Sequence, residues 1–467
     1  MFLQALKFAG LCLEVLVIFN VIIIVHELGH FLAARWRGLH IEEFGVWFGK
    51  PIWRKKFGGV YYSLNSIPAG GFVKLPQMAA MDSVEGASEI PVEQLRAVTP
   101  LDKIIVAFAG PLFSFLLALI FAVVVWQIGK PVSDSNETTV IGGVLKGGPA
   151  EQAGLRVGDE ILEVDGKPVR RFGGTAHSVT WNIIRSEGEK ILFKVRRGNE
   201  VLDIWSAWTK PETSSWRRPA LRKVMIGPRQ APWVYLVTPK SLAAQAGLQP
   251  GDYIESANGQ SLFNVFDLEP LVVANRGGAL DLSVVRGDQK LALSLPIPPV
   301  DLAKPDAPVE LGFEPGKLTL VHPQPWEQVT ESVETIVNMV GALAAKNSDV
   351  KTAHFSGPAG IMNLYYRMFQ LPDGWRLAIA FSVFFNVNLA LLNLLPIPPL
   401  DGGHILLSTL EAIRRKPVNT RVVEVVTTVF TLLLMGFMLY VSFFDFGDIF
   451  GKEKSEPEEP PPAEVQK

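Results

Sequence analysis

The chain has 467 residues, 48% of them hydrophobic and 19% charged, with a formal net charge of −2. That balance is more apolar than an ordinary soluble protein, points to several domains partly in a membrane, and gives no basic excess that would suit nucleic acid as a partner. Cys12 is the only cysteine, which excludes an intramolecular disulfide framework and a thiolate metal cluster. Set in an apolar stretch, it reads as a small buried hydrophobe.

Four segments offer enough apolar residues to cross a bilayer: 8–34, 104–129, 377–400 and 425–444. The first runs on past Val25 without a small-residue cleavage site, so it reads as a retained span rather than a signal peptide. Within it lies H-E-L-G-H, residues 26–30. A charged or strongly polar side chain at the bilayer centre costs roughly 2.5–3.5 kcal/mol, so three together demand compensation. His26 and His30 stand at i and i+4, on one helical face, a spacing that suits two imidazoles on one zinc. Glu27 beside them suits a general base toward the attacking water. Glu14 lies about 18 Å before His26 at 1.5 Å per residue, too far to touch that metal, and is explained by nearness to the outer interface.

Residues 41–75 alternate aromatic and polar side chains between glycine turns, a strand-forming pattern whose basic cluster Arg54, Lys55 and Lys56 would sit at the headgroups. The stretch 78–100 reads as a mobile loop. The second span carries no charge between Lys103 and Lys130. Basic residues flank the 35–103 loop and the 414–421 loop, which predicts that both are cytoplasmic and that 130–376 faces outward.

The outward segment contains a repeat. A-G-L-x-x-G-D-x-I recurs at a constant offset of 93 residues, matching Gly154 with Gly247, Asp159 with Asp252 and Ile161 with Ile254. Each copy is followed by an alternating hairpin pattern, so two tandem domains are expected at 131–215 and 222–300. In the linker 301–376, Trp326, Val329, Val333, Ile336, Val337 and Val340 have helical spacing, predicting an amphipathic helix over 325–345 on the outer membrane surface or under the repeats. The turn SGPAGI, 356–361, carries no chemistry that sequence assigns. In the third span Asp401 follows an uncharged run and offers a third, oxygen ligand, with His404 as its rival. Pro396, Pro398 and Pro399 interrupt that span, and broken backbone at membrane depth is tolerated where it lines a cavity. The acidic, proline-rich tail 451–467 is expected to be disordered.

HELGH together with N-x-x-P-x-P-x-L-D-G, at Asn393, Pro396, Pro398, Leu400, Asp401 and Gly402, resembles the site-2 protease family of intramembrane zinc metalloproteases. The repeat resembles bacterial PDZ domains, and a PDZ pair between the second and third spans is most similar to the regulator of sigma-E protease group. The resemblance implies an α-helical polytopic membrane protein with four transmembrane helices and a membrane-reentrant β-hairpin, plus two tandem α/β PDZ domains. It implies a place in the bacterial inner membrane, with the PDZ domains periplasmic and the active site towards the cytoplasm. The activity implied is a Zn2+ endopeptidase with His26, His30 and Asp401 on the metal and Glu27 catalytic. Its substrates would be pre-trimmed single-pass membrane proteins such as anti-sigma factors and remnant signal peptides, with extended peptides bound at the PDZ domains. The hairpin would pair with substrate at Gly45 and Gly49, and Asn393 and Pro396 would contact it, Asn393 holding backbone or the developing oxyanion. One departure stands out: the family commonly shows G-P-x-x-N in the second span, and here Gly110 and Pro111 are followed by Ser114 instead of asparagine. An alternative from another class is a catalytically inactive scaffold that binds envelope peptides through its PDZ domains.

Overall fold

A computed structural model describes residues 2–78, 94–211, 217–300, 309–371, 373–416 and 418–450. The core of the expected loop at 78–100 and the whole tail 451–467 lie outside these. The chain divides into two units, one of residues 1–130, 322–336 and 355–450, the other of 131–321 and 337–354.

Among the described residues, seven helices shape the first unit: α1 (Phe2–Arg37), α2 (Pro100–Ile128), α3 (Pro325–Ala344, whose last turns belong to the second unit), α4 (Pro358–Gln370), α5 (Gly374–Asn393), α6 (Asp401–Arg414) and α7 (Thr420–Phe450). Four of them, α1, α2, α5 and α7, are long and apolar enough to cross a membrane. The start of α2 is set by its own sequence: Thr99 and Asp102 form a reciprocal capping box and Pro100 occupies the first turn. Asp102 also takes Arg37 at 2.6 Å, fastening the end of α1 to the beginning of α2. Along their lengths α1 packs on α2, and α2 packs on α5 and α6.

The third span is shorter than the 377–400 expected from hydropathy. It stops at Asn393, and a new helix begins at Asp401. The intervening Pro396, Pro398 and Pro399 lack amide donors, so no helix can continue through them. Cys12 is exposed rather than buried. Its neighbour Leu13 is exposed as well, and on a helix apolar enough to cross a membrane such exposure would cost little. The stripe on α3 also divides: Val329, Val333 and Ile336 pack against Ala118 of α2 and Val387 of α5. Trp326, Val337 and Val340 of the same expected face are exposed.

SGPAGI gains a role. It starts α4, and the amides of Gly357 and Gly360 donate to Asp445 Oδ2 at 2.9 and 3.0 Å, the carboxylate being 1% exposed within α7. A glycine cap has no side chain to satisfy the first amides of α4, and the neighbouring helix supplies the acceptor. Further along α4, fully buried Tyr365 shares a 2.8 Å hydrogen bond with Ser382 of α5 and packs with Val15 of α1.

The hairpin is more elaborate than expected. Its strands, Glu43–Phe57 and Val60–Lys74, each fold back, so that Glu43–Val46 pairs with Tyr61–Leu64 on one side and with Gly71–Lys74 on the other. Gly49 and Gly70, at φ +92° and +77°, stand at the bends, where a side chain would be strained. Gly71–Lys74 therefore forms the outer edge, and among the described residues no further strand pairs with it. Trp47 and Asn20 join this sheet to α1 through a 2.5 Å hydrogen bond.

In the second unit, the two repeats build two four-stranded antiparallel sheets of the same order. One runs Lys167–Pro168, Glu160–Val164, Ile191–Arg197, Glu200–Ser206; the other Gln260–Ser261, Tyr253–Ala257, Ala279–Arg286, Gln289–Pro296. Inward residues such as Ile161, Phe193 and Val195, or Ile254, Leu282 and Val284, fill each core. The repeated G-D is structural. Asp159 and Asp252, 1% and 0% exposed, each take a guanidinium on both oxygens, from Arg197 and Arg286. Each arginine also binds the carbonyl of the motif's glycine, Gly154 or Gly247, at 2.7 Å. The repeats reach beyond the expected limits of 215 and 300, because Ile141–Val144 pairs with Ile226–Pro228 and Val234–Val237 with Phe313–Pro315. Hydrophobic periodicity finds a repeat's core but not a strand returning from afar to close it.

Residues 337–354 dock on the first repeat. Trp181 packs against Ala342 and Val350, and Asp349 receives Arg222 at 2.8 Å and Lys210 at 2.6 Å. Burial pushes the Asp349 carboxyl up, but the hydrogen bonds from Arg222 and Lys210 outweigh it and hold the group below the usual aspartate range.

Candidate metal centre

The centre is assembled where α1 crosses α2. Two glycines permit the approach: a Cβ on Gly29 would stand 2.4 Å from the Ala109 carbonyl, and one on Gly110 would stand 2.2 Å from His30 Nε2. With both absent, His26 and His30 project across the crossing and their Nε2 atoms come within 3.3 Å of each other. Their other ring nitrogens are engaged by α2. His30 Nδ1 donates to the Val106 carbonyl at 2.8 Å, and His26 Nδ1 lies 2.9 Å from the hydroxyl of fully buried Ser114.

Asp401 arrives from the other half of the chain as the first residue of α6, where the helix N-terminus favours a carboxylate. Its two oxygens lie 3.3 Å from His26 Nε2 and 3.4 Å from His30 Nε2. The turn that delivers it needs both following glycines, since a Cβ on Gly402 would meet the Leu394 carbonyl at 2.2 Å and one on Gly403 the Pro398 nitrogen at 2.6 Å. Among the described residues, His26, His30 and Asp401 form the cluster whose donor atoms all lie within 4.8 Å of one another. His404, the rival, lines the surrounding cavity but is outside this cluster.

The donor set fits a zinc ion. Two ligand atoms at 2.0–2.1 Å from a tetrahedral metal stand about 3.3–3.4 Å apart, the spacing the three side chains hold here. Both imidazoles turn Nε2 inward and use Nδ1 elsewhere, as a metal-bound histidine does. Three such ligands would leave a fourth position on a tetrahedral zinc for water or substrate.

The cavity around the centre has a volume of about 560 Å³ and is lined by Glu27, Asn393, His404, Gly49, Gly70, Gly71 and Phe72 as well as the three candidate ligands. Asn393 Nδ2 is 3.5 Å from His26 Nε2. Gly49 thus reaches the cavity, whereas Gly45 and Pro396 are not among its lining residues. Gly45 is enclosed, with Phe72 on one side and Ser63 on the other, so both of its backbone edges are already paired. The sheet approaches the centre instead through Gly71, where an added Cβ would stand 3.1 Å from Glu27 Cγ. Sequence reasoning passed over Gly71 and Val106, and noted Ser114 only as a departure from the family pattern, with no role at the metal. For Ser114 a signal existed, namely its place in the uncharged second span where the family pattern has asparagine.

The family model for peptidase family M50 matches residues 14–437. The chain is 29% identical to the regulator of sigma-E protease RseP of Escherichia coli, over 92% of this chain and 97% of that one. It is 30% identical to a regulator of sigma E protease of Salmonella typhi over 91% and 96% of the two chains, and 28% identical to a putative zinc metalloprotease of Neisseria meningitidis over 92% and 97%. With HELGH and Asp401 brought together between membrane-length helices and a match over most of the chain, this protein belongs to peptidase family M50, the site-2 protease family of zinc metalloproteases.

Proposed function

We propose that His26, His30 and Asp401 hold one zinc ion, that Glu27 is the general base, and that the protein hydrolyses peptide bonds inside the membrane-spanning segments of single-pass proteins. The observation that carries this reading is the convergence of the three donor groups, with Glu27 in the same cavity, among helices of membrane length. Zinc in that position supplies a Lewis acid that polarises the scissile carbonyl and acidifies water. Glu27 takes a proton as water attacks the carbonyl carbon and returns it to the departing amine nitrogen. Asn393, its amide 3.5 Å from His26, offers a hydrogen bond to the substrate carbonyl as negative charge develops on it.

A helical substrate has its backbone groups paired internally and must be extended before cleavage. The outer edge at Gly71–Lys74 is where a substrate strand adds to the sheet, with Gly71 keeping that strand close to Glu27. This replaces pairing at Gly45, whose edges are taken. The 131–228 and 234–315 repeats act as PDZ domains that recognise or gate pre-trimmed substrates, on the periplasmic side of a bacterial inner membrane, with the zinc towards the cytoplasm. Arg35 and Arg37 at the inner end of α1 support that orientation. The relatives named as regulators of sigma-E protease support a role in sigma-factor regulation, for which membrane-anchored anti-sigma factors are the substrate class of this reading.

The test is a Glu27→Gln variant assayed with a transmembrane reporter. It is expected to retain about one zinc per chain and to lose cleavage; cleavage at the wild-type rate would overturn the assignment of the base.

A further inference from the structure

The two histidines are held from α2 by partners of different chemistry. His30 Nδ1 meets the Val106 carbonyl, which can only accept, so Nδ1 carries a proton and Nε2 is the nitrogen left to ligate. His26 Nδ1 meets the Ser114 hydroxyl at 2.9 Å, and a hydroxyl can donate or accept. If Ser114 donates, the His26 proton sits on Nε2, aimed at Asp401 3.3 Å away, and that nitrogen cannot ligate. If Ser114 accepts, the proton is on Nδ1 and the Nε2 lone pair faces His30 and Asp401.

We infer that Ser114 is a positioning residue for the metal: its hydroxyl, fully buried in α2, holds the His26 ring in the ligating orientation and accepts a hydrogen bond from Nδ1–H, the tautomer that leaves Nε2 free to ligate. Ser114 touches no reacting atom and acts through His26. Removing it leaves a buried ring nitrogen without a partner and a ring free to turn. The position where the family pattern carries asparagine is thereby tied, in this chain, to a metal ligand. The inference rests on the zinc centre proposed above.

The experiment measures zinc affinity of the full-length protein in detergent by competition with a chromophoric chelator. Ser114→Ala is expected to bind zinc about tenfold or more weakly, the range for loss of an outer partner of a metal-bound histidine. Ser114→Thr and Ser114→Val add the same bulk and differ only in the hydroxyl, so the threonine variant is expected to bind more tightly than the valine variant. Cobalt-loaded Ser114→Ala should show shifted ligand-field bands, a change that altered packing alone does not require. Wild-type affinity in Ser114→Ala, or equal affinity in the threonine and valine variants, would overturn the inference. A His26→Ala control separates the two levels: if it binds zinc as well as wild type, the centre itself is wrong and the role of Ser114 falls with it.

Discussion

Gly110 gives the sharpest test of how the centre is built. In open surroundings a helical Gly→Ala substitution stabilises by about 0.5–1 kcal/mol, because glycine carries the larger backbone entropy. At Gly110 the added Cβ would stand 2.2 Å from His30 Nε2 and 2.4 Å from Cε1, where ordinary contact begins at 3.4 Å. The ring or the helix must therefore yield by about 1.2 Å, and the atom displaced is the one that faces the metal. A metal site tolerates ligand distances within only about 0.2 Å of ideal, so the displacement is several times what the centre can absorb. Gly110→Ala is expected to lose zinc to a weak chelator and to lower cleavage by about a hundredfold or more, since a misplacement near 1 Å already costs about that factor in rate. Gly436→Ala in α7, with nothing within 4 Å of its added Cβ, is the matched control and should behave as wild type. The assay is zinc content after dialysis against a weak chelator, alongside reporter cleavage. Retention of one zinc with wild-type affinity by Gly110→Ala would refute the placement of the His30 ring against α2.

Two further outcomes follow from the remaining geometry. Asp445→Ala removes the acceptor for the Gly357 and Gly360 amides and should destabilise by about 1–3 kcal/mol, detectable as faster proteolysis of the 355–371 segment, with Asp445→Asn partly restoring protection because it keeps an oxygen. Asp349 has a folded-state pKa below its unfolded value, so its contribution is present in full above about pH 4 and is lost as pH falls through the lowered value. Hydrogen exchange across 337–354 in the full chain should accelerate below that window, and Asp349→Asn should show the fast exchange already at neutral pH; unchanged protection in that variant would remove the link to Arg222 and Lys210 from the account.

Much of the fold was legible because it rests on local rules. Hydropathy found four spans, since apolar length is a property of contiguous residues, and the 93-residue offset found the repeat. Where the reading erred, the cause was long-range. Hydropathy carried the third span to 400 although its prolines were read as an interruption; Pro396, Pro398 and Pro399 end its hydrogen-bond ladder, and the helix stops at Asn393. The closing strands 226–228 and 313–315 each lay outside the expected bounds of the domain they complete, because a strand of three residues has no pattern of its own and gains its identity from its partner. Gly45 seemed a point of substrate contact until the sheet's order showed it enclosed on both sides.

The candidate centre divides the same way. His26, Glu27 and His30 were determined by sequence alone, since i and i+4 on a helix share a face whatever surrounds them, and Asp401 was singled out as a carboxylate that follows a run with no other charge. Tertiary structure decided which side chains serve those four: Gly29 and Gly110 by what they lack, Val106 and Ser114 by the hydrogen bonds they offer, Gly71 by bringing the sheet edge to Glu27. These are contacts between segments remote in the chain, and their physical cause is the close crossing of α1 with α2, which no spacing within either helix can express.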